Sequence, residues 1–523
     1  MMNYPAKQYA PLRRPLAHLD ALFNRLYTWR YNPLYHSGAL VVACFVVLSV
    51  TGLYLLLFYR IGSPYASVER IADQAFAGRW IRSLHRYASD LAVVAALVHA
   101  FRMGVQNRAW GPRALAWLSG IVLLGVFLIC GWTGYVMVWD TQAQLLAQEG
   151  ARLLDVFPIF SEPIARAFAG DRAIPSAFFF LNLFAHIAIP VGILLILWIH
   201  VSRLARTELL PPRPLTWGMV GVLTVLSVAW PAVLGPEADP LRVPQDVALD
   251  LFYNFWVPLS AAVPAGVSWL ALVAGLVAVG AIPWLTRPAL ETVEPSWVDP
   301  RFCTGCEQCY HDCPYEAISM VARDDDRPYT VGLVDPDKCV SCGICAGSCA
   351  PMGVGPPKRA GRDQLRSVKE FITRHQPSSQ DVVLVACSRS AAGWEADDFG
   401  GAPVLPVDCV GNVHTSVVEY LVRAGAGGVI VVSCPPRDCW NREGVKWMDA
   451  RVYDGREAEL KDRVDRTRIR VVHAAEAEGR VLAESLALFR SQIGALDRAL
   501  SERAIELDTT CEQPAVSVAE EVT

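Results

Sequence analysis

The chain is 523 residues long, more than half hydrophobic, with a formal charge of −4 and no long basic run. It is too long and too apolar for a small stapled secreted domain, it offers no footing for nucleic acid, and it has room for about three domains. The average hides a split: residues 35–290 are strongly apolar and 291–523 have ordinary soluble composition. Thirteen of the fifteen cysteines follow residue 300, many in CxxC spacing. In a long chain that spacing reads as metal binding in a reducing compartment, not as a disulfide framework.

Residues 1–34 are polar and basic and lack the short apolar core of a cleavable signal. Charge-free stretches follow at 39–58, 114–139, 173–202, 214–236 and 251–286, each long enough to cross a bilayer at about 20 residues per span. A further helix at 80–104 carries Arg82, Arg86 and Asp90 near its start and then turns apolar. The expectation is a six-helix transmembrane bundle over 35–287. An even number of spans puts both ends of this domain on one side. Lys and Arg are more numerous in the N-terminal segment and the connections on its side, which favours a cytoplasmic N-terminus. The expected location is the cell inner membrane, with lipid around the bundle and the C-terminal half in the cytoplasm.

Four histidines decide the reading of this half. His85 and His99 lie on the second span, His186 and His200 on the fourth, and both pairs are 14 residues apart. At about 100° and 1.5 Å per residue, 14 steps return to within roughly 40° of the same helix face, roughly 21 Å further along. Two antiparallel helices would then oppose His85 to His186 near the outer face and His99 to His200 near the inner face, and each pair can hold one haem. Four unrelated structural histidines are the alternative. Ionisable residues in membranes are rare and usually functional, and matched spacing on two helices favours the haems.

GRWIRSLHR at 78–86, HAFR at 99–102 and GWTGYVMVWD at 131–140 resemble cytochrome b of the respiratory and photosynthetic bc complexes. The resemblance implies two haem b groups packed against glycines. Gly38 and Gly52 are 14 apart here, as are Gly120 and Gly134. It also implies that Arg79, Arg82 and Arg102 pair with haem propionates; headgroup contact is the alternative for each. LGPEADPLRVPQDVALDLFYNFWVPL at 234–259 resembles the family's outer quinol loop, but its PEWY motif is lost, and Asp250 takes the place of the Glu. Asp140 closes the VWD motif. Asp140 and Asp250 are therefore candidate quinone-site carboxylates, with a solvated helix end as the alternative for both. Where some relatives attach a third haem to an early Cys, His36 stands here, and no such haem is expected.

After a proline-containing linker at 286–301 come two runs, Cys303-x2-Cys306-x2-Cys309-x3-Cys313-Pro and Cys339-x2-Cys342-x2-Cys345-x3-Cys349-Ala-Pro. This is the two-cluster bacterial ferredoxin pattern, in which the fourth Cys of each run serves the other cluster. Cys303, Cys306, Cys309 and Cys349 are expected on one 4Fe–4S cluster, and Cys339, Cys342, Cys345 and Cys313 on the other; zinc is the alternative. The module spans 288–360, and the insertion between the runs reads as a surface hairpin.

Residues 380–495 alternate strand and helix. Strands are expected at VVLVAC, APVLPV, GVIVVSC and IRVVHA, and helices at 413–424, 442–463 and 474–495, giving a small α/β domain with a mostly parallel sheet. Cys387, Cys409 and Cys434 stand at strand exits, with Cys439 five residues on. Ligands of open α/β sheets gather beyond the carboxyl ends of strands, and four thiolates there suit a 2Fe–2S cluster. Buried cysteines acting as small apolar residues are the alternative. VSCPPRDCWNREG and VDCVGNV resemble motifs in the delta subunit of methyl-viologen-reducing hydrogenases. That resemblance implies a 2Fe–2S cluster and a heterodisulfide-reductase-like or flavoprotein partner. Cys44 and Cys130 read as helix-packing thiols, and 505–523 as a disordered acidic tail that includes Cys511.

In chain order these centres form a wire. The expected function is membrane-bound electron transfer between a cytoplasmic flavoprotein dehydrogenase or heterodisulfide-reductase-like subunit and the quinone pool, as a subunit of a quinone oxidoreductase. A second copy of the chain, as a homodimer, is a candidate partner. The alternative function is a passive membrane anchor and wiring subunit with no quinone site of its own.

Overall fold

The structure, a computed structural model, describes the chain apart from residues 1–9, 107, 110–112, 159–162, 169–173, 203–207, 243–246, 248–249, 286–293, 391–398, 457 and 512–523. It divides into two compact units, one of Met1–Leu16 with Leu22–Glu291 and one of Ala17–Ala21 with Thr292–Thr523.

The membrane half is helical. In order come α1 (Ala10–Tyr31), α2 (Ser37–Phe58), α3 (Pro64–Asp73), α4 (Gly78–Val105), α5 (Ala114–Val136), α6 (Thr141–Leu154), α7 (Ser176–Ser202), α8 (Arg213–Ala229), α9 (Val257–Ala261), α10 (Ala265–Gly280) and α11 (Ile282–Leu285). Among the described residues four helices, α2, α4, α5 and α7, are long and apolar enough to cross a bilayer, while α8 and α10 are apolar but have only 17 and 16 residues. Two of the six expected spans are therefore shorter than the sequence indicates. Pro231 follows the end of α8 at Ala229, and Pro258 and Pro264 break the expected 251–286 span into α9 and α10; a proline has no N–H for the helix ladder. Leu57, Leu181, Val191 and Leu195 stand exposed on the outward faces, as side chains facing lipid do.

The close helix pairings are α2 with α4 and α5 with α7, and α4 and α7 form no such pairing. Leu40, Ala43 and Cys44 of α2 pack on Leu84, Ala88, Ala92 and Ala95 of α4, with Met219 and Leu223 of α8 alongside. Small residues allow that approach where no hydrophobic drive separates helix from lipid.

The second unit begins with β1 (Trp297–Val298), so the stretch expected as linker through 301 already pairs antiparallel with β4 (Val354–Gly355). Between them lie α12 (Gln308–Asp312), an antiparallel hairpin of β2 (Ile318–Val321) and β3 (Val331–Val334), and α13 (Ile344–Ser348). Then come α14 (Gly361–His375), β5 (Val382–Cys387), β6 (Val404–Val407), α15 (Thr415–Arg423), β7 (Gly428–Ser433), α16 (Gly444–Tyr453), β8 (Ile469–His473) and α17 (Gly479–Cys511).

The four strands form one parallel sheet in the order β6-β5-β7-β8. Side chains alternate between its faces. Val383 and Val385 join the core under α14, α15 and α16, while Val382, Leu384 and Ala386 join the core under α17.

Three expectations change here. Helix α14 lies between the expected ferredoxin and α/β boundaries and buries Val368 and Phe371 in the sheet core. The helix expected over 442–463 stops at Tyr453, where Gly455 takes a left-handed φ of 63°. The tail expected to be disordered from 505 continues α17 to Cys511, as an extension of the Ala-, Leu-, Arg- and Glu-rich helix before it; residues 512–523 lie outside the described residues.

Candidate metal centres

The structure opposes His85 to His186 and His99 to His200, with ring centroids 6.3 and 6.5 Å apart. An imidazole–metal bond is about 2 Å and the ring nitrogen about 1.1 Å from the ring centre, so one metal between two imidazoles sets their centres about 6.2 Å apart. Both pairs have that spacing.

Each ring rests on a glycine of the neighbouring helix. A Cβ on Gly38 would lie 3.0 Å from His99, on Gly52 3.3 Å from His85, on Gly120 3.1 Å from His200 and on Gly134 2.9 Å from His186. The sequence expectation set these glycines against a macrocycle; the structure sets them against the imidazoles.

A second feature escaped the sequence reading although it is written there. Every one of these glycines follows a hydroxyl residue: Ser37, Thr51, Ser119 and Thr133. Thr51 Oγ1 donates to Val47 O (2.7 Å) and lies 2.9 Å from His85 Nδ1. Ser119 Oγ donates to Leu115 O (2.7 Å) and lies 3.2 Å from His200 Nδ1. Thr133 Oγ1 donates to Cys130 O (2.7 Å) and lies 3.1 Å from His186 Nδ1, which also meets Cys130 O at 2.9 Å. A hydroxyl whose proton is already given to the helix can only accept from the ring. Nδ1 is then the protonated nitrogen in these three histidines and Nε2 keeps its lone pair, the tautomer a metal needs.

The three expected propionate partners diverge. Arg82 donates to Ala232 O at 2.7 Å, Arg102 is 1% exposed over the Tyr35 ring, and Arg79 is exposed and donates to Ala72 O. The two candidate carboxylates also differ. Asp140 caps α6, accepting from Ala143 N at 2.9 Å, and its other oxygen accepts from Gly235 N at 3.2 Å. It ties a helix to a loop.

Asp250 sits in a polar cluster. One oxygen accepts from Phe252 N (2.6 Å) and Tyr253 N (3.2 Å), and the other from Arg86 and Tyr135. Arg86 also donates to Asp90 at 2.7 Å, and the Tyr253 hydroxyl bonds Ser89. Asp90 thereby joins this polar cluster, although the sequence reading does not name it as a site candidate. Its signal was a carboxylate four residues after an arginine inside an apolar helix.

In the second unit the two cysteine runs wrap alike. Left-handed backbone recurs at the same two places in each, Gly305 and Glu307 in the first and Ser341 and Gly343 in the second. Cys303, Cys306, Cys309 and Cys349 line one cavity. Cys313 and Cys339 lie within electrostatic reach of both Cys342 and Cys345. Cys349 of the second run thus shares a cavity with Cys303, Cys306 and Cys309 of the first.

Backbone amides point at the sulfurs: Ala317 N to Cys313 (3.3 Å), Gly353 N to Cys349 (3.2 Å) and Ser296 N to Cys339 (3.3 Å). Burial pushes the Cys345 thiol up to about 12 and the Cys309 and Cys342 thiols well up. Thiolates this buried are stable only against positive charge, which bound iron supplies.

Cys387, Cys409, Cys434 and Cys439 converge beyond the carboxyl ends of the sheet, each at most 5% exposed. Cys387 Sγ is 3.6 Å from Cys434 Sγ, and the sulfurs of Cys409 and Cys439 both border Gly444. With metal–sulfur bonds of about 2.3 Å, two thiolates on one tetrahedral metal stand about 3.8 Å apart. The Cys387–Cys434 couple has about that spacing. A Cβ on Gly444 would lie 2.6 Å from Cys409 Sγ, so the glycine makes room for the site.

Three family models match the chain, one after another. The cytochrome b/b6/petB model matches residues 24–235, the 4Fe–4S dicluster domain 302–353, and the delta subunit of methyl-viologen-reducing hydrogenase 400–497. A solved structure described as a hyperthermophilic respiratory complex III is similar at 17% identity and a TM-score of 0.39, over 53% of this chain and 82% of that one. The cytochrome b match and the apolar helices mark an integral membrane protein of electron transfer. They imply haem b in the membrane half, and the dicluster match implies iron–sulfur in the soluble half. Cys387 lies outside the delta-subunit match, yet the fold brings it to Cys434.

Proposed function

We propose that the chain moves electrons between a cytoplasmic redox partner and quinone. The route is two b haems, two 4Fe–4S clusters and one 2Fe–2S cluster. The observation that carries this is the two opposed imidazole couples at 6.3 and 6.5 Å, each ring backed by its own glycine. A bound haem supplies one-electron chemistry.

His85 with His186 and His99 with His200 hold the haems. Arg82 and Arg102, each three residues from a ligand on the same helix face, suit propionates. The crossed cysteine sets hold the 4Fe–4S clusters and the strand-exit cysteines the 2Fe–2S cluster. The shorter α8 and α10 complete six spans, with both termini on the cytoplasmic face of the inner membrane. The partner is a flavoprotein dehydrogenase or a heterodisulfide-reductase-like subunit, in keeping with the delta-subunit match.

Quinone chemistry also moves protons, which need a carboxylate with a lone pair available. Asp250 organises Arg86 and Tyr135, and Asp90 is the acceptor, holding Arg86 through one oxygen. One observation favours the wiring subunit without a quinone site: both oxygens of Asp140 and of Asp250 are already engaged. The test is quinol-driven haem reduction in the purified chain. Asp90→Asn and Asp250→Asn should slow it at least tenfold at unchanged haem content, with Asp140→Asn near the unaltered rate. Unaltered rates in both of the first two variants would leave the wiring reading standing.

A further inference from the structure

The ferredoxin module and the α/β domain share one compact unit, and the seam between them lies on particular residues. Arg451 of α16 is fully buried. It donates to Gly411 O (2.9 Å) on one side and to Ile344 O (3.2 Å) and Ser348 Oγ (2.7 Å) on the other. Gly411 is two residues from Cys409, and Ile344 adjoins Cys345. Asn412 Nδ2 donates to Gly343 O (2.9 Å), next to Cys342. Arg359 joins the Asp408 carboxylate (2.9 Å), next to Cys409, to Ser341 O (2.7 Å), next to Cys342.

The approach leaves no slack. A Cβ on Gly347 would overlap the Arg451 guanidinium, and one on Gly343 would overlap the Asn412 side chain. These three bridges clamp the loop of Cys339, Cys342 and Cys345 against the segment that carries Cys409. Arg451 is within electrostatic reach of both Cys345 and Cys409. It lies 3.9 Å from the fully buried Asp312, which Arg456 also bonds, so two arginines face one carboxylate.

Resting on the iron–sulfur reading above, we propose that the second ferredoxin set, Cys313, Cys339, Cys342 and Cys345, exchanges electrons directly with the α/β site. Arg451 is the positioning residue that holds the two together and biases both toward the reduced state. One electron leaves one centre and enters the other, supplied or taken at the chain's ends by the redox partner and quinone. No bond forms or breaks and no proton moves. A fixed cation between two centres stabilises the added electron on either, so its loss lowers both potentials.

The experiment is an EPR-monitored redox titration of the full chain, unaltered, as Arg451→Gln and as Arg451→Lys. In Arg451→Gln the reduction equilibrium of these two centres should fall at least tenfold, which is 59 mV for a one-electron couple. The first ferredoxin set and the haems should be unmoved. Arg451→Lys, which keeps the charge, should recover most of the shift. Unchanged potentials in Arg451→Gln, or a shift confined to the first set or the haems, overturn the proposal.

The unaltered protein decides even where a variant fails to fold. The reduced second-set and α/β centres should show mutual magnetic splitting, and well-formed signals without splitting overturn the inference while leaving the cofactor reading intact. Absence of the centres themselves overturns that reading and the inference with it.

Discussion

In the membrane half four histidines sit on two rigid helices, and most of their support is a side chain or a missing one: a glycine against each ring and, at three of them, a hydroxyl on Nδ1, joined at His186 by the Cys130 carbonyl. In the soluble half the cysteines sit on loops and strand ends, and the support comes from the backbone, with left-handed turns and amides aimed at sulfur. The difference follows from solvent. A lipid-facing backbone has to satisfy itself within the helix, so side chains at the helical period do most of the building there. A loop in water is free to turn its N–H groups inward.

The sharpest way to break this comparison is at the ligands. His200→Ala should remove one of two haems, halving the b-type absorbance per chain while the non-haem iron stays unchanged. Cys349→Ser should cost about four of about ten non-haem irons, and the signal that disappears should belong to the set with Cys303, Cys306 and Cys309. Loss of the other set's signal would mean that the crossed assignment is wrong.

Next come the supports. Gly134→Val places carbon inside the space of His186, whereas Gly192 of the same membrane half has nothing within 4 Å of a Cβ. Gly134→Val should lose or distort one haem, and Gly192→Val should match the unaltered spectrum. The smallest effect belongs to the hydroxyls. Thr51→Val removes an acceptor from His85 Nδ1–H and makes the ligand less basic, so that haem's potential should rise. At about 1 kcal/mol for one hydrogen bond, the shift is about 40 mV. A fall, or no change, would show that the hydroxyl does not hold the tautomer.

Much of this was legible before folding. The 14-residue histidine spacing survives as two opposed pairs because helical geometry is local and nearly invariant. Three of the four strands fall within a residue of their expected places, since buried parallel strands read as continuous apolar runs; APVLPV pairs only over Val404–Val407.

The misses have physical causes too. The prolines within 251–286 carry no charge, so a reading by charge and hydropathy passes over them, yet they divide the span. Helix α14, with only every third or fourth residue apolar, resembles a solvated linker until its partner sheet is present. Asp140 reads as a proton acceptor from its place in a motif, but two backbone amides take its oxygens. Arg451 has no signature at all, because its partners lie 40 and about 105 residues away.

The most direct test of the central claim is an optical and EPR redox titration of the purified chain with its iron counted. Two b-type haem transitions and three iron–sulfur centres in one polypeptide are the expected result. A single haem, or zinc in place of the iron at the cysteines, would contradict it.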